Sequence, residues 1–174
     1  MQEFAMEMSP IAGADEVITR NRDQFLRELV SELANVLESR VGLEAAEGFI
    51  ARVGSQIGET MNEEYRTIFG TEALDAKQVA QALVDLKSRI EGGFRIEAIC
   101  PDRIVLTNSA CPFAGQVDGR ESLCMMTTSV FGRIAASNLG YARVEKTATI
   151  ARGDPGCRVV IHLTEGEAGR EFFG

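Results

Sequence analysis

The chain has 174 residues, of which 45% are hydrophobic and 25% are charged, and its formal net charge is −8. This composition is ordinary for a globular protein with one good hydrophobic core. The acidic balance argues against nucleic-acid binding through a broad basic face, since Lys and Arg supply most of such affinity, and the sequence has no apolar run near the roughly 20 residues of a membrane span.

Residues 1–16 show no hydrophobic periodicity, and we expect them to form a flexible arm. This segment is acidic and rich in methionine. It lacks the basic region and apolar core of a secretory signal, so a cytoplasmic location is the default expectation. In a reducing compartment the four cysteines of the chain are more often ligands or reactive thiols than disulfides.

A helical region is predicted from residue 17 to residue 91. In its first helix, over residues 17–41, apolar side chains follow one another in alternating steps of three and four: Leu26, Leu29, Leu33 and Val36. Such a seam is typical of a helix packed on its own domain and also of a dimerisation helix. Both interpretations remain open, and the second underlies our expectation of a homodimer.

The second predicted helix, over residues 43–68, contains Gly54 and Gly58 one turn apart. Glycine costs roughly 1 kcal/mol relative to alanine inside a helix. Close approach of another backbone would offset that cost, and we expect this helix to lie on the sheet that the following residues predict. A third helix is predicted over residues 75–90, with Asp75 as its N-cap.

Residues 92–174 are predicted to be a cysteine-bearing region that forms one domain with the preceding helices. Alternating apolar residues predict strands over residues 94–100, 103–108, 141–151 and 157–163. The capping-box spacing of Asp118 and Glu121 predicts the start of a helix that extends to about residue 140. The expected fold class is therefore α+β, with N-terminal helices packed against an antiparallel β-sheet of about four strands and one crossing helix.

Three of the four cysteines fall at boundaries of predicted elements: Cys111, Cys124 and Cys157. Thiols placed there can project toward a common point, and soft thiolate ligands select zinc, copper(I) or an iron–sulfur cluster. Zinc sites usually contain a C-x₂-C pair, which this sequence lacks, so the wide spacing suits a cluster better and leaves zinc as the alternative. Cys100 ends a strand just upstream and either supplies a further metal ligand or fills core volume.

Other chemistry-bearing residues are few. Cys124 is expected in the second turn of its helix, where the helix dipole favours the thiolate. His162, the single histidine, has the opposite strand parity to Cys157, and we expect it to have a structural or surface role. The sequence shows no nucleophile elbow, phosphate loop or dinucleotide fingerprint, so we expect a protein that is not an enzyme.

The segment from Cys111 to Cys157 resembles a known pattern. Its matching residues are Cys111-Pro112-Phe113, Leu123-Cys124, Leu139-Gly140, Val144-Glu145 and Gly153-Asp154-Pro155-Gly156-Cys157. Over about residues 75–163 the chain is similar to the C-terminal sensory domain of the Suf-type iron–sulfur-responsive repressors and to the methanogen output domain proteins of bacterial signalling. More distantly, it resembles the sensor domains of the vinyl reductase family.

The resemblance implies that Cys111, Cys124 and Cys157 hold an iron–sulfur cluster, of the 4Fe–4S or 2Fe–2S type, with a fourth ligand that is not a matching cysteine. The winged helix-turn-helix of the repressors is not seen in this sequence, so direct DNA binding is not implied. The leading hypothesis is a regulatory sensor or output domain that signals redox or iron status to a protein partner, as in transcription regulation. Two alternatives remain: a small-molecule sensor of the vinyl reductase type, with the thiols shaping an apolar pocket, and a thiol redox switch.

Overall fold

A computed structural model describes residues 17, 18 and 20–174, so the flexible arm predicted for residues 1–16 lies outside the described residues. Its long helices in the N-terminal half are α1 (Arg22–Val41), α2 (Leu43–Phe69) and α3 (Ala76–Ser88). Strands β1 (Arg95–Cys100) and β2 (Arg103–Asn108) follow, and then helix α4 (Cys124–Leu139). The chain continues through β3 (Tyr141–Ala148), β4 (Cys157–His162) and β5 (Arg170–Phe173).

The strands form one five-stranded sheet in the order β1-β2-β4-β3-β5, and every neighbouring pair is antiparallel. β2 and β4 pair along their full lengths, with Arg103 opposite His162 and Asn108 opposite Cys157. The α+β prediction, with N-terminal helices and one crossing helix, is confirmed. The sheet has five strands instead of about four because β5 adds an edge strand along β3.

Two predicted boundaries were wrong for local reasons. β3 ends at Ala148 because the register with β4 shifts between Lys146 and Ala148, and the chain then makes a 3-10 turn over Ile150–Arg152. The capping box predicted at Asp118 and Glu121 is not formed. Residues 114–123 instead contain two short 3-10 turns, and α4 begins at Cys124.

Capping boxes fix the starts of α1 and α3. The Asn21 side chain accepts a hydrogen bond from the backbone N–H of Gln24 at 2.9 Å, and the Gln24 side chain accepts one from the N–H of Asn21 at 3.0 Å. Asp75 and Gln78 make the same reciprocal pair, so the predicted N-cap at Asp75 is confirmed. These bonds satisfy backbone donors that the first turn of a helix leaves unpaired.

Two groups of buried apolar side chains stabilise this architecture. The main core lies between α3, α4 and the sheet, and its fully buried members include Leu83, Ile104, Phe131 and Ile161. The second cluster lies beneath α1 and the two 3-10 turns, and consists of Ala34, Ile50, Ala51, Val117, Leu123, Met125 and Ala151. The smaller cluster therefore joins the N-terminal helices to the segment that carries Cys111 and Cys124.

The glycines of α2 allow close contact with α4. A Cβ atom added to Gly54 would lie 2.9 Å from the Cβ of Ser129, and one added to Gly58 would lie 3.2 Å from the Cα of Val130. The predicted approach of another backbone is thus confirmed. The expected partner was wrong, because α2 packs on helix α4 and not on the sheet.

The apolar seam of α1 faces outward. Leu26, Leu29, Leu33 and Val36 are 44–56% exposed, whereas Ser31 and Ala34 on the opposite side are buried. The seam is therefore not core in this chain, and the dimerisation helix stays a prediction. None of the described helices combines the length and the apolar character needed to cross a membrane.

Candidate functional site

A cavity of about 40 Å³ lies where the main core meets the second cluster. Cys111, Cys124 and Cys157 all line it, together with Thr127 and Lys146. Its remaining wall is mainly apolar and includes Phe94, Phe113, Val117, Leu123 and Val159. About 10–15 Å³ is enough to hold one water molecule, so this space, which we call the thiol cavity, has room for more than one.

Cys124 enters the cavity from the first residue of α4. Burial raises the pKa of Cys124 to about 11, and the charge of Lys146 works against that rise. The thiolate expected from the helix dipole is therefore not the resting form at neutral pH. Loss of hydration is the main cause, because the side chain packs, partly buried, against the second cluster.

Cys157 enters the cavity from the start of β4, where the sheet fixes its position. Its backbone N–H donates to the side-chain oxygen of Asn108 at 2.8 Å, across the last pair of the β2–β4 ladder. The backbone N–H of Ile150 reaches the Cys157 sulfur at 3.5 Å. The turn before it is tight, since a Cβ on Gly156 would lie 2.2 Å from the Asn108 carbonyl oxygen.

Cys111 lies just beyond β2, and the same asparagine fixes the chain there. The Asn108 side-chain amide donates to the carbonyl oxygens of Ala110 at 2.7 Å and Gly92 at 2.9 Å. One buried side chain thus positions the backbone on both sides of the cavity, at residue 110 and at Cys157. Asn108 was not predicted from the sequence. The available signal was an amide side chain at a strand end, next to a loop that contains a cysteine.

Lys87 and Lys146 supply positive charge to the site. Lys87, in the last turn of α3, is only 3% exposed, and its ammonium donates to the Thr127 hydroxyl at 2.7 Å. Burial lowers the pKa of Lys87 to about 8, an effect that the thiols of Cys111, Cys157 and Cys124 oppose. Both lysines were missed in the sequence, because a lysine on a predicted helix or strand gives no sign of facing inward.

Cys100 and His162 lie away from the thiol cavity. Cys100 is paired with Arg103 at the first residue of β2, whereas Cys157 is opposite Asn108 at the last. Five residues of strand, at about 3.4 Å each, separate the two ends by roughly 17 Å. The structure thus does not bring Cys100 to the other three cysteines. The His162 ring contacts the Glu145 carboxylate at 2.9 Å, and the structural or surface role expected for it stays a prediction.

The donor set around the cavity suits a cluster better than a single metal ion. Among the described residues, no three His, Cys, Asp or Glu side chains stand close enough together to hold one metal ion, so zinc finds no support in this geometry. An iron–sulfur cluster is larger than an ion and is held by cysteine thiolates. Three thiols from separate elements around one cavity, with two lysine charges nearby, fit that chemistry.

Comparison with known proteins agrees with one of the family resemblances noted in the sequence. A family model described as methanogen output domain 1 matches residues 29–162, a span that contains Cys111, Cys124 and Cys157. The resemblance to methanogen output domain proteins is confirmed by this match, and the finer likeness to Suf-type repressors stays a prediction. No curated protein matches the chain.

Two solved structures have a similar fold. The phenol-responsive sensory domain of the transcription activator PoxR, determined with phenol, superposes with a TM-score of 0.65 at 18% sequence identity, covering 78% of this chain and 73% of that one. A trafficking protein particle complex subunit 3 from Naegleria fowleri, covalently bound to palmitic acid, gives a TM-score of 0.55 at 13% identity, covering 84% of this chain and 99% of that one. At these identities the likeness concerns the fold alone.

Proposed function

Because this chain belongs to the methanogen output domain 1 family, we propose that it is a sensory module that receives its signal at the thiol cavity. The observation that carries this proposal is the convergence of Cys111, Cys124 and Cys157 on one cavity. These residues lie on a loop, a helix start and a strand start. Cys157 packs against the main core, and Cys111 and Cys124 pack against the second cluster, so all three thiols reach the cavity that lies between the two.

The occupant that we propose is an iron–sulfur cluster held by these three thiols. Such a cluster, when bound, supplies sensitivity to redox state and to iron supply. Residues around the cavity position the thiols and surround them with positive charge. Asn108 fixes the backbone beside Cys111 and at Cys157, and Lys87 and Lys146 place positive charge near the thiols. The proposed role is regulatory and not catalytic, and a reducing cytoplasm would keep the thiols available.

The response would pass to α1 from the segment between Cys111 and Cys124. The Ser31 hydroxyl of α1 donates to the carbonyl oxygen of Gln116 at 3.1 Å, and the Glu38 carboxylate accepts from the N–H of Ser122 at 3.3 Å. A change in how Cys111 and Cys124 are tethered therefore acts directly on this helix. The outward apolar seam of α1 is where we expect a protein partner or a second copy of the chain to bind.

Anaerobic reconstitution with iron and sulfide tests this function. We expect a coloured protein with visible absorbance and bound iron and sulfide. Cys111→Ser, Cys124→Ser and Cys157→Ser should each reduce the bound iron sharply. Cys100→Ser is the matched control and should retain it, since Cys100 ends β1 opposite Arg103, at the other end of β2 from the cavity. A wild-type protein that stays colourless and free of iron would contradict the cluster.

A second candidate is a small-molecule sensor. Two observations favour it: the cavity wall is largely apolar, and a phenol-responsive sensory domain has a similar fold. If phenol binds there, the iron-free protein should show a melting temperature that rises with phenol concentration. The shift should persist in Cys124→Ser, because an apolar contact does not need that thiol. An unchanged melting temperature up to millimolar phenol would remove this candidate.

A further inference from the structure

The thiol cavity lies beside a buried positive charge that has no carboxylate to balance it. Within the described part of the chain, no Asp or Glu carboxylate pairs with Lys87. Its ammonium is held by the Thr127 hydroxyl at 2.7 Å. It also lies over the rings of Phe94 and Phe131, at 5.8 Å and 5.5 Å from their centroids. Aromatic faces and a hydroxyl stabilise a cation, but they leave its charge uncompensated.

Lys87 and the cavity are in electrostatic contact. Thr127, which holds the ammonium, also lines the cavity, and the thiols of Cys111, Cys157 and Cys124 all act on the Lys87 charge. A second ammonium, that of Lys146, lies on the cavity wall, where it acts on the Cys124 thiol. An isolated charge in an apolar interior is costly unless an opposite charge accompanies it.

We propose that Lys87 and Lys146 make the thiol cavity select a negatively charged occupant, with the buried Lys87 ammonium contributing most. This inference rests on the proposed function, and it names the charge class of what the cavity takes. A cluster bound by thiolates belongs to that class, and so does a small molecule with a carboxylate or phenolate group. A neutral molecule would leave the Lys87 charge unbalanced and would be disfavoured.

The preference can be measured on the reduced, iron-free protein with two thiol reagents. Iodoacetate and iodoacetamide both alkylate a cysteine sulfur with loss of iodide, but only iodoacetate is an anion. Peptide mass spectrometry gives the rate for each cysteine separately. The ratio of the iodoacetate rate to the iodoacetamide rate at Cys111 and Cys157 then reports how the cavity treats negative charge, with no cluster involved.

We expect Lys87→Met to lower this ratio about fivefold and Lys146→Met to lower it less, since a cleft of one charge concentrates ions of opposite charge. Lys77→Met is the matched control, because Lys77 is an exposed residue of the same helix as Lys87, and it should leave the ratio unchanged. The ratio at Cys100 should stay constant in every variant.

Equal ratios in the wild type, Lys87→Met and Lys146→Met would overturn the inference. If circular dichroism shows that Lys87→Met does not fold, the inference is tested with the wild type and Lys146→Met alone. The wild-type ratio must then be higher at Cys111 and Cys157 than at Cys100, and Lys146→Met must lower it; any other result is contrary. Because the alkylation experiment contains no iron, it can contradict the charge preference even if reconstitution shows that a cluster binds. If it holds and reconstitution fails, the cavity takes an anion other than a cluster.

Discussion

The main core and the region around the thiol cavity are neighbours that differ in how much apolar surface they bury. In the main core, α3, α4 and four strands each bury apolar residues, and Leu83, Phe131 and Ile161 have no exposed surface. Around the cavity, residues 109–123 form loops and short 3-10 turns. Burying apolar area contributes about 25 cal/mol per Å², so the main core is the stable frame.

The smaller second cluster and side-chain hydrogen bonds to the backbone together hold the cavity region. The Gln116 carbonyl oxygen accepts bonds from the Ser31 hydroxyl and from the Arg120 guanidinium at 3.1 Å and 2.9 Å. The Asn108 side-chain amide likewise donates to the backbone carbonyl oxygens of Gly92 and Ala110. Each such bond contributes only about 1 kcal/mol net. The comparison indicates that the cavity region can rearrange on binding while the main core remains folded.

The largest expected effect comes from Phe131→Ala, which should lower the free energy of unfolding by about 3–5 kcal/mol. Val117→Ala removes a smaller side chain from the second cluster, and we expect a loss of about 1–2 kcal/mol. Urea unfolding measures both. Val117→Ala should also speed amide exchange in residues 109–123 and leave β2 and β4 protected. Similar losses in the two variants, with uniform exchange, would show that the regions unfold as one unit.

The next effect tests the helix contact that joins the two regions. Gly54→Ala should destabilise the protein by about 2 kcal/mol, because the new Cβ would lie 2.9 Å from the Ser129 Cβ and force α2 away from α4. Gly48→Ala is the matched control in the same helix. Beyond the neighbouring backbone of its own helix, nothing lies within 4 Å of its new Cβ, so it should stabilise by up to about 1 kcal/mol. A stabilising Gly54→Ala would mean that the two helices are not in close contact.

The sequence predicted those features that depend on local pattern. Strand alternation and capping residues located β1, β2 and the start of α3, and the glycine spacing indicated a close contact for α2. The partner of α2 was missed because glycine spacing states only that another backbone comes near. The seam of α1 was ambiguous, since a helical stripe looks the same whether it faces a core or another molecule.

The candidate site was predicted only as far as its cysteines. Cys111, Cys124 and Cys157 were identified from their positions at element ends, and the structure brings them to one cavity. Lys87 was not identified from the sequence. It lies 24 residues from Cys111 along the chain, and its role depends on α3 packing near the cavity. The protonation of Cys124 was also mistaken, because burial is a tertiary property that a helix-start signal does not contain.

A smaller effect is expected from removing one asparagine in each region, the buried Asn108 beside the cavity and the half-buried Asn138 beside the main core. Asn108→Ala should destabilise by about 1–2 kcal/mol by leaving the carbonyl oxygens of Ala110 and Gly92 without their donor. Asn138 accepts from the N–H of Leu74 and donates to the carbonyl oxygen of Ile134 beside the main core. Hydrogen exchange should therefore speed up near residues 109–112 in Asn108→Ala and near residue 74 in Asn138→Ala. Alkylation of Cys157 should change only in Asn108→Ala, and a change in both variants would argue against separate regions.

The smallest effect is a pH dependence that originates at Lys87, beside the thiol cavity. Lys87 titrates at about 8 in the folded chain and near 10.5 when unfolded, so between these values the unfolded chain binds more protons and stability rises with pH. From pH 8 to pH 9 the gain should be about 1 kcal/mol, measured by urea unfolding under reducing, anaerobic conditions. Above pH 9 the rise in stability should flatten. Burial raises the pKa of Cys124 to about 11 in the folded chain, so the folded chain keeps this proton where the unfolded chain loses it, and this lowers stability as pH rises. Lys87→Met should abolish the gain below pH 9, whereas Lys77→Met should keep it. A wild-type profile that is already flat from pH 8 to pH 9 would mean that an anionic side chain balances Lys87 before any ligand arrives.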